Sequence, residues 1–429
     1  MPGRLNIFQR TMLLWNDLHP YNSVHVVRLN SKLDAPRLEA VINRTLQAQG
    51  LANLVFDPDG RTYRYAGGEA KCEIKFIQAS RDPRADLAAE AERQLNAPFA
   101  VHQNFTPFRF FVVAESNSFY FSLVYFHAVA DGEAVVRLLK RVLDAYLGKE
   151  VKNALELYPK PRASILFRDP VLFVRKSLSI FNQFRRLRRS QRPPCRDLQD
   201  QRNAALVLSL PPPDLQALQR AAKAWDVTLN DLFLALLLQA LAPLRPRPEA
   251  TARRTKLAVG CIVNLRKELG IAGWQVFGLF LGSFVVTCEP RSGASLQELA
   301  RQIRQQTARI KENRLYVGTP LELHFARLLL SRFSLERRRK FYQKNHPLWG
   351  GITNMNLDLI WPRAAGESLV DYFRVVSTGP ATPLVLAITT FRGSVNIGLT
   401  YRTAFFSAQE VEDLRRFLLD AVGQLRTTA

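Results

Sequence analysis

The stretch FYFSLVYFHAVADG at residues 119–132 decides the fold of this chain and points to its site. Residues 119–126 are almost entirely apolar or aromatic, which is typical of a buried β-strand. From Glu133 onward, the apolar residues of EAVVRLLKRVL recur with the spacing of a helix. His127 therefore lies where a buried strand ends and the chain turns into a helix. A rigid strand end can hold an imidazole in one orientation, so His127 is a candidate catalytic group.

The spacing from His127 to Asp131 and Gly132 resembles the HxxxDG motif of the CoA-dependent acyltransferase superfamily. Its members include chloramphenicol acetyltransferase, peptide-synthetase condensation domains, polyketide-associated acyltransferases and wax ester synthases. A second histidine often precedes the motif; here that position is Phe126, a departure that spares the catalytic histidine. For the six-residue pattern alone, a histidine buried in the core is the alternative.

Four further stretches resemble the superfamily in the expected order, so that the resemblance covers nearly all 429 residues. They are residues 3–46, residues 228–235, residues 263–266 with 277–286, and residues 351–356. The resemblance implies an α/β fold of two chloramphenicol-acetyltransferase-like lobes, each a mixed β-sheet with packed helices, forming a V-shaped pseudo-dimer with a central tunnel. We expect an N-terminal lobe at 1–165, a basic inter-lobe segment at 166–200 and a C-terminal lobe at 201–429.

The resemblance also assigns roles to residues. His127 would be the general base, and Asp131 would point away from the substrate and pair with Arg266 of the Asn-x-Arg strand. A plain helix-capping aspartate is the alternative for Asp131. Gly132 would let the backbone turn closely and leave the tunnel open. Three polar residues are expected near the tunnel or the oxyanion: Asn264, Thr353 and Asn354.

The chemistry follows from the imidazole. Its intrinsic pKa of about 6.5 suits a base that takes a proton from an attacking hydroxyl or amine at neutral pH. The acyl group would pass directly to the acceptor, and the chain has no Gly-x-Ser-x-Gly elbow.

We therefore expect an acyltransferase that moves an acyl group, other than an aminoacyl group, from an acyl-CoA or acyl-carrier-protein thioester to a hydroxyl or amine. Its place would be in lipid or secondary-metabolite biosynthesis. No metal and no cofactor beyond the thioester co-substrate is expected. The alternative is a non-catalytic, condensation-like binding or scaffold protein.

The net charge of the chain suggests several candidate partners. The chain has 60 basic and 37 acidic side chains, a formal net charge of +23. This suits an anionic membrane, the phosphates of CoA or an acidic carrier protein. Nucleic acid is not expected, because no nucleic-acid-binding motif is present. The basic amphipathic stretch at 171–189 and the cluster at 337–344 could lie on an anionic bilayer. A solvated basic face and a docking site for a carrier protein remain open alternatives.

The remaining features suit a cytoplasmic monomer, with peripheral membrane association left open. Cys72, Cys195, Cys261 and Cys288 are widely spaced and are expected to be reduced thiols. No apolar run reaches the roughly 18–20 residues of a membrane span, and no signal peptide is apparent. For the second lobe the patterns predict a strand at 204–209, a helix at 213–224, a hairpin turning at 392–393 and a last helix at 408–425.

Overall fold

The structure is a computed structural model that describes residues 2–151, 153–158, 185, 187, 189–246, 254–271, 275–289, 293–362 and 368–428. The basic amphipathic stretch at 171–189 lies almost wholly outside these residues, as does much of the predicted inter-lobe segment. The chain divides into two compact units. The first is Met1–Arg162, Leu265–Leu281 and Asn356–Ser377, and the second is Ala163–Asn264, Gly282–Met355 and Thr378–Ala429. The predicted lobe limits stay predictions.

The described residues contain ten α-helices. They are α1 (Ile7–Asn16), α2 (Ala35–Ala48), α3 (Pro83–Asn96), α4 (Gly132–Tyr146), α5 (Pro212–Ala224), α6 (Leu229–Leu241), α7 (Leu296–Glu312), α8 (Thr319–Leu330), α9 (Leu335–Asn345) and α10 (Ala408–Thr428). The predicted helices after Gly132, at 213–224 and at 408–425 are thereby confirmed, with boundaries that differ by a few residues at most.

Fourteen strands lie in the same part of the chain. They are β1 (Gly3–Arg4), β2 (Asn22–Leu29), β3 (Leu54–Phe56), β4 (Thr62–Tyr65), β5 (Ile74–Gln78), β6 (Phe108–Ala114), β7 (Phe119–Phe126), β8 (Asn203–Leu210), β9 (Leu257–Asn264), β10 (Leu281–Cys288), β11 (Gly350–Asn356), β12 (Leu369–Val376), β13 (Leu384–Phe391) and β14 (Ser394–Arg402).

The first unit is built around a five-stranded mixed sheet in the order β12-β2-β7-β6-β5. The strand β7 is the predicted buried strand, and it pairs antiparallel with β2 on one side and β6 on the other. All eight of its residues are buried, which explains why its sequence is apolar without alternation. The β5–β6 pair is parallel, and a small three-stranded sheet, β1-β4-β3, completes the unit's strands.

The helix α4 follows β7 after a five-residue connection. It buries one apolar stripe, which includes Val135, Leu138, Leu139 and Val142, and it contacts α2. Because this stripe fixes the helix rotation, the start of α4 is held at a defined point beyond the end of β7.

The second unit is built around a six-stranded sheet in the order β10-β9-β11-β13-β14-β8. The pair β9–β11 is parallel, and β13–β14 is an antiparallel hairpin. The hairpin turns through Arg392 and Gly393, whose φ angles are +51° and +81°, as a two-residue turn with both φ positive requires. The predicted strand at 204–209 is β8, and it pairs with β14.

The helix α6 lies in the core of the second unit. Ten of its thirteen residues are buried. Thr228 caps the helix, and the buried carboxylate of Asp231 accepts hydrogen bonds from the backbone N–H and the hydroxyl of Thr228. The same carboxylate accepts a third hydrogen bond from Thr307 Oγ1 at 2.6 Å. Asp231, which belongs to one of the stretches that resemble the superfamily, is therefore a structural carboxylate.

The predicted mixed α/β class is confirmed, because each unit is a mixed β-sheet with packed helices, while the V-shaped arrangement and the tunnel stay predictions. Among the described residues, no single helix has both the length and the apolar content needed to cross a membrane. Only Pro212–Ala224 and Leu229–Leu244 pass that test together, as a pair bent by 101°.

Candidate functional site

The backbone around His127 is fixed by two other elements of the first unit. The His127 N–H donates to the carbonyl oxygen of Tyr21, the residue before β2, at 2.9 Å. The side-chain amide of Gln9, on α1, donates to the carbonyl oxygen of Ala128 at 3.0 Å. The loop after β7 is thus held on one side by the neighbouring strand and on the other by α1.

The imidazole of His127 has one orientation. Its Nδ1 lies 3.1 Å from the carbonyl oxygen of Ala130, which can only accept, so Nδ1 carries the proton and donates it. The other ring nitrogen, Nε2, is then the unprotonated and basic atom. The ring stacks on Tyr21, with 5.5 Å between ring centroids and 16° between planes, and meets Tyr125 edge-on at 5.4 Å.

The surroundings keep this histidine neutral. Burial lowers the pKa of His127 below its usual 6.5, and the positive charge of Arg374 acts in the same direction. Hydrogen bonding to the Ala130 carbonyl and the charge of Asp131 oppose the shift without reversing it. His127 is buried, with 7% of the residue's surface exposed. At neutral pH the site therefore presents a neutral imidazole that can accept a proton.

The predicted pair between Asp131 and Arg266 is present, although 135 positions separate the two residues. Arg266 Nη2 donates to both carboxylate oxygens at 3.0 Å, and their side chains are 7% and 2% exposed for Arg266 and Asp131 respectively. The carboxylate also accepts from the backbone N–H of Phe280 at 3.0 Å. Asp131 is at the same time the N-cap of α4, because it accepts from the Ala134 N–H at 2.9 Å. The ion pair and the alternative capping role therefore both hold.

Arg266 has further partners. Its Nη1 donates to the Val276 carbonyl oxygen at 3.0 Å, its guanidinium lies 4.7 Å from the centroid of the Phe280 ring, and its Nε lies 3.8 Å from the Glu133 carboxylate. The backbone N–H of Asp131 donates to the Gly278 carbonyl oxygen at 3.0 Å. The segment from 265 to 281 is thus tied to the turn that carries His127.

Gly132 is the first residue of α4. Its φ is not in the positive range, so backbone conformation does not require glycine there. Its predicted role in leaving room beside the site stays a prediction.

The remaining predicted residues lie together in the second unit. Asn264 is the last residue of β9, while Thr353 and Asn354 lie on the parallel neighbour β11, whose register pairs Thr353 with Ile262. Asn264 and Asn354 are exposed and Thr353 is half-buried. These three residues share the carboxyl end of one strand pair, and their oxyanion role stays a prediction.

Phe126 occupies the position where superfamily members often have a second histidine. It is fully buried, and its ring packs against Phe56, Phe99 and Phe105 at centroid distances of 6.1–6.2 Å. In this chain the position therefore serves packing.

The sequence did not identify several residues around His127. The adjacent strands β2 and β12 contribute His25 and Arg374, which are register partners and buried. The Nδ1 of His25 meets the Tyr372 hydroxyl at 2.5 Å. Burial lowers the pKa of His25, and the charge of Arg374 adds to the effect. The available signal for His25 was a polar residue between the apolar Val24 and Val26 of β2; Tyr21 and Gln9 gave none.

A metal centre finds no support in the described part of the chain. No group of three or more His, Cys, Asp or Glu side chains is placed there to hold a metal ion.

Part of this chain matches a known protein family. Residues 5–169 match the family model of the condensation domain. Surfactin synthase subunit 1 of Bacillus subtilis (strain 168) is 23% identical over 428 residues, which cover 94% of this chain but only 11% of that protein. The chain therefore spans about a tenth of the length of this curated relative.

Two solved structures share the fold over 99% of this chain. The first condensation domain of the calcium-dependent antibiotic synthetase, in complex with a substrate analogue, is 15% identical with a TM-score of 0.70, and 97% of it is covered. The EpoB cyclization-docking bidomain from Sorangium cellulosum is 14% identical with a TM-score of 0.69, and 85% of it is covered. The chain thus shares the fold of condensation domains, and its residues 5–169 match the condensation-domain family model.

Proposed function

We propose that this chain catalyses amide formation, in which an acyl or aminoacyl group leaves a carrier-protein thioester for an amine acceptor. The observation that carries the proposal is the state of His127. Its Nδ1 donates to the Ala130 carbonyl and burial keeps the ring neutral, which leaves Nε2 as a base. The Asp131–Arg266 pair and the capped start of α4 hold the turn in place.

The reaction balances with one base. The neutral amine attacks the thioester carbonyl, and Nε2 of His127 takes a proton from the amine nitrogen as the C–N bond forms. The tetrahedral intermediate then collapses, the C–S bond breaks, and the imidazolium returns the proton to the leaving thiolate. No covalent enzyme intermediate is needed, because the acceptor itself is the nucleophile.

The relatives support a carrier-bound donor over free acyl-CoA. The family match is to condensation domains, and the curated relative is a synthase subunit of which this chain corresponds to a small part. The relatives also favour an amine as the acceptor over a hydroxyl, which the sequence had left open. They favour an aminoacyl or peptidyl group as the group transferred, over the other acyl groups that the sequence analysis expected.

The test is a panel of two donors and two acceptors. One acyl group is presented as a phosphopantetheine thioester on a carrier protein and as its CoA thioester, each with an amine and with the matching alcohol. Free thiol and product mass are followed together. The proposal predicts the fastest transfer from carrier to amine. Equal or faster use of CoA, or a preference for the alcohol, would contradict it. Donor binding without transfer in all four combinations would identify a non-catalytic binding protein.

A further inference from the structure

A helical hairpin of the second unit exposes large apolar side chains. We call α8, the turn at 331–334 and α9 the basic hairpin. Phe325, Leu328 and Leu335 are 54%, 64% and 48% exposed, although Leu330 and Tyr342 of the same hairpin are buried. The hairpin therefore exposes three large apolar side chains in addition to those that it buries.

The hairpin is also strongly cationic. Residues 319–345 contain seven basic and two acidic side chains. Arg332, Arg337 and Lys344 are exposed. One of the acids, Glu336, pairs with Lys340 at 2.6 Å. Burial raises the pKa of the other acid, Glu322, to about 7, so that it carries only part of its charge at neutral pH.

The shape of the hairpin is fixed by contacts of its own. Arg338 Nε donates to the carbonyl oxygens of Leu330 and Phe333 at 3.0 and 3.1 Å, which closes the end of α8. The rings of Phe333 and Phe341 meet at 6.1 Å across the turn. Ser334 caps α9 by accepting from the Arg337 N–H. The exposed apolar and basic side chains are thus presented by an ordered element, and binding needs no folding step.

We propose that the basic hairpin binds the surface of an anionic lipid bilayer. Phe325, Leu328 and Leu335 would enter the boundary between headgroups and acyl chains, and Arg332, Arg337 and Lys344 would contact the anionic headgroups. Apolar side chains flanked by arginine and lysine are the combination that holds interfacial helices on such surfaces.

Charge complementarity favours a bilayer over an acidic protein as the occupant. A bilayer attracts the basic side chains that lie within about a Debye length of it, roughly 8–10 Å, and it accepts apolar side chains beside them; the hairpin supplies both, with seven basic and two acidic side chains and three exposed apolar ones. The inference goes beyond the proposed function, because acyl transfer needs neither the hairpin nor a membrane.

The experiment measures co-sedimentation of the protein with vesicles of phosphatidylcholine, with and without about 30% phosphatidylserine. The apolar variant carries Phe325→Gln, Leu328→Gln and Leu335→Gln. The charge variant carries Arg332→Gln, Arg337→Gln and Lys344→Gln. A matched control removes three exposed basic residues of the same unit outside the hairpin: Arg220→Gln, Lys223→Gln and Arg309→Gln.

We expect the parent protein to bind only the anionic vesicles. Each basic residue near such a surface typically contributes a factor of about five, so the charge variant should bind at least tenfold more weakly at low salt. The apolar variant should lose at least tenfold, and the control should change less than twofold. A Phe325→Trp reporter should show blue-shifted fluorescence with anionic vesicles.

Three results would overturn the proposal: no vesicle binding by the parent, equal loss in control and charge variants, or an unshifted reporter. A different result would identify the basic hairpin as a protein-docking site instead. In that case an acidic carrier protein would bind the parent but neither hairpin variant, and vesicle binding would be the same for the parent and both variants. Transfer in vesicle-free solution separates this test from the proposed function, because the hairpin variants should retain it.

Discussion

Replacing Asp131 by asparagine tests how the turn at His127 is held. Asparagine keeps an oxygen that can cap α4 at Ala134, but it removes the negative charge that faces Arg266. Breaking one side of a buried ion pair typically costs ~3–5 kcal/mol. We expect about 3 kcal/mol, because Arg266 retains the Val276 carbonyl oxygen and has Glu133 3.8 Å away. Asp131→Ala also loses the cap, which adds about 1 kcal/mol.

The free energy of unfolding is measured in urea, together with hydrogen exchange of the backbone amides in α4, which reports on the first unit by itself. Asp34→Asn is the matched control: Asp34 caps α2 of the same unit by accepting from the Arg37 N–H, and it is exposed. Its substitution should change stability by less than about 0.5 kcal/mol, since asparagine and aspartate cap equally well.

The double variant Asp131→Asn with Arg266→Met separates loss of a pair from loss of a cap. It removes the uncompensated buried charge, so it should be more stable than Asp131→Asn alone. A loss below about 0.5 kcal/mol in the single variant, or a double variant that is less stable than the single, would refute this account of the pair.

Three further outcomes are expected. Burial raises the pKa of Glu322 to about 7, so the stability that this carboxyl contributes is fully present below its unfolded pKa of about 4.5 and is lost as the pH rises through 7. The variant Glu322→Gln, which stays neutral, should therefore be about 2 kcal/mol more stable than the parent at pH 8 and as stable as the parent at pH 4.5. Denaturant unfolding at the two pH values measures this difference. Tyr21→Ala should lower kcat about tenfold with little change in KM, whereas Tyr21→Phe, which keeps the stacked ring, should retain kcat. Because the pKa of His127 lies below 6.5, the limb of kcat/KM that reports this base should be level from pH 7 to 8 and should decline only below pH 6.5; a limb centred above pH 7 would contradict the lowered pKa.

Local patterns predicted the local elements well. The fully buried β7 was recognisable because a central strand is apolar on both faces, and α4 because its core stripe has the helical spacing. The turn at Arg392 and Gly393 was recognisable because a two-residue hairpin needs positive φ angles, which glycine adopts easily. In each case the residues that give the signal are the same few residues that form the element.

Long-range contacts were predictable only where a family motif pointed to them. The match of Arg266 to the Asn-x-Arg strand gave the pair with Asp131. Nothing comparable marked Gln9, whose partner Ala128 lies 119 positions away, or Tyr21, whose ring supports His127. A glutamine on an amphipathic helix looks like any surface residue until the fold brings a carbonyl oxygen to it.

The sequence also did not show which segments of the chain belong to each of the two units. The strand β12 pairs with β2 in the first unit, although more than 300 residues of chain, including most of the second unit, lie between them. Residues 265–281 likewise join the first unit through Arg266. Amino-acid composition and linker patterns can mark a boundary only between segments that follow each other in the chain. They cannot show that a segment distant in sequence belongs to the first unit.

The central claim is that His127 is the base that accepts the proton from the acceptor, and turnover of His127→Ala tests it most directly. General-base catalysis typically contributes 10²–10⁴-fold, about 2.7–5.5 kcal/mol of transition-state stabilisation. We predict a loss of this size in carrier-to-amine transfer, with donor binding unchanged and hydrogen exchange in α4 as slow as in the parent. Near-parental turnover in the folded variant would contradict the claim.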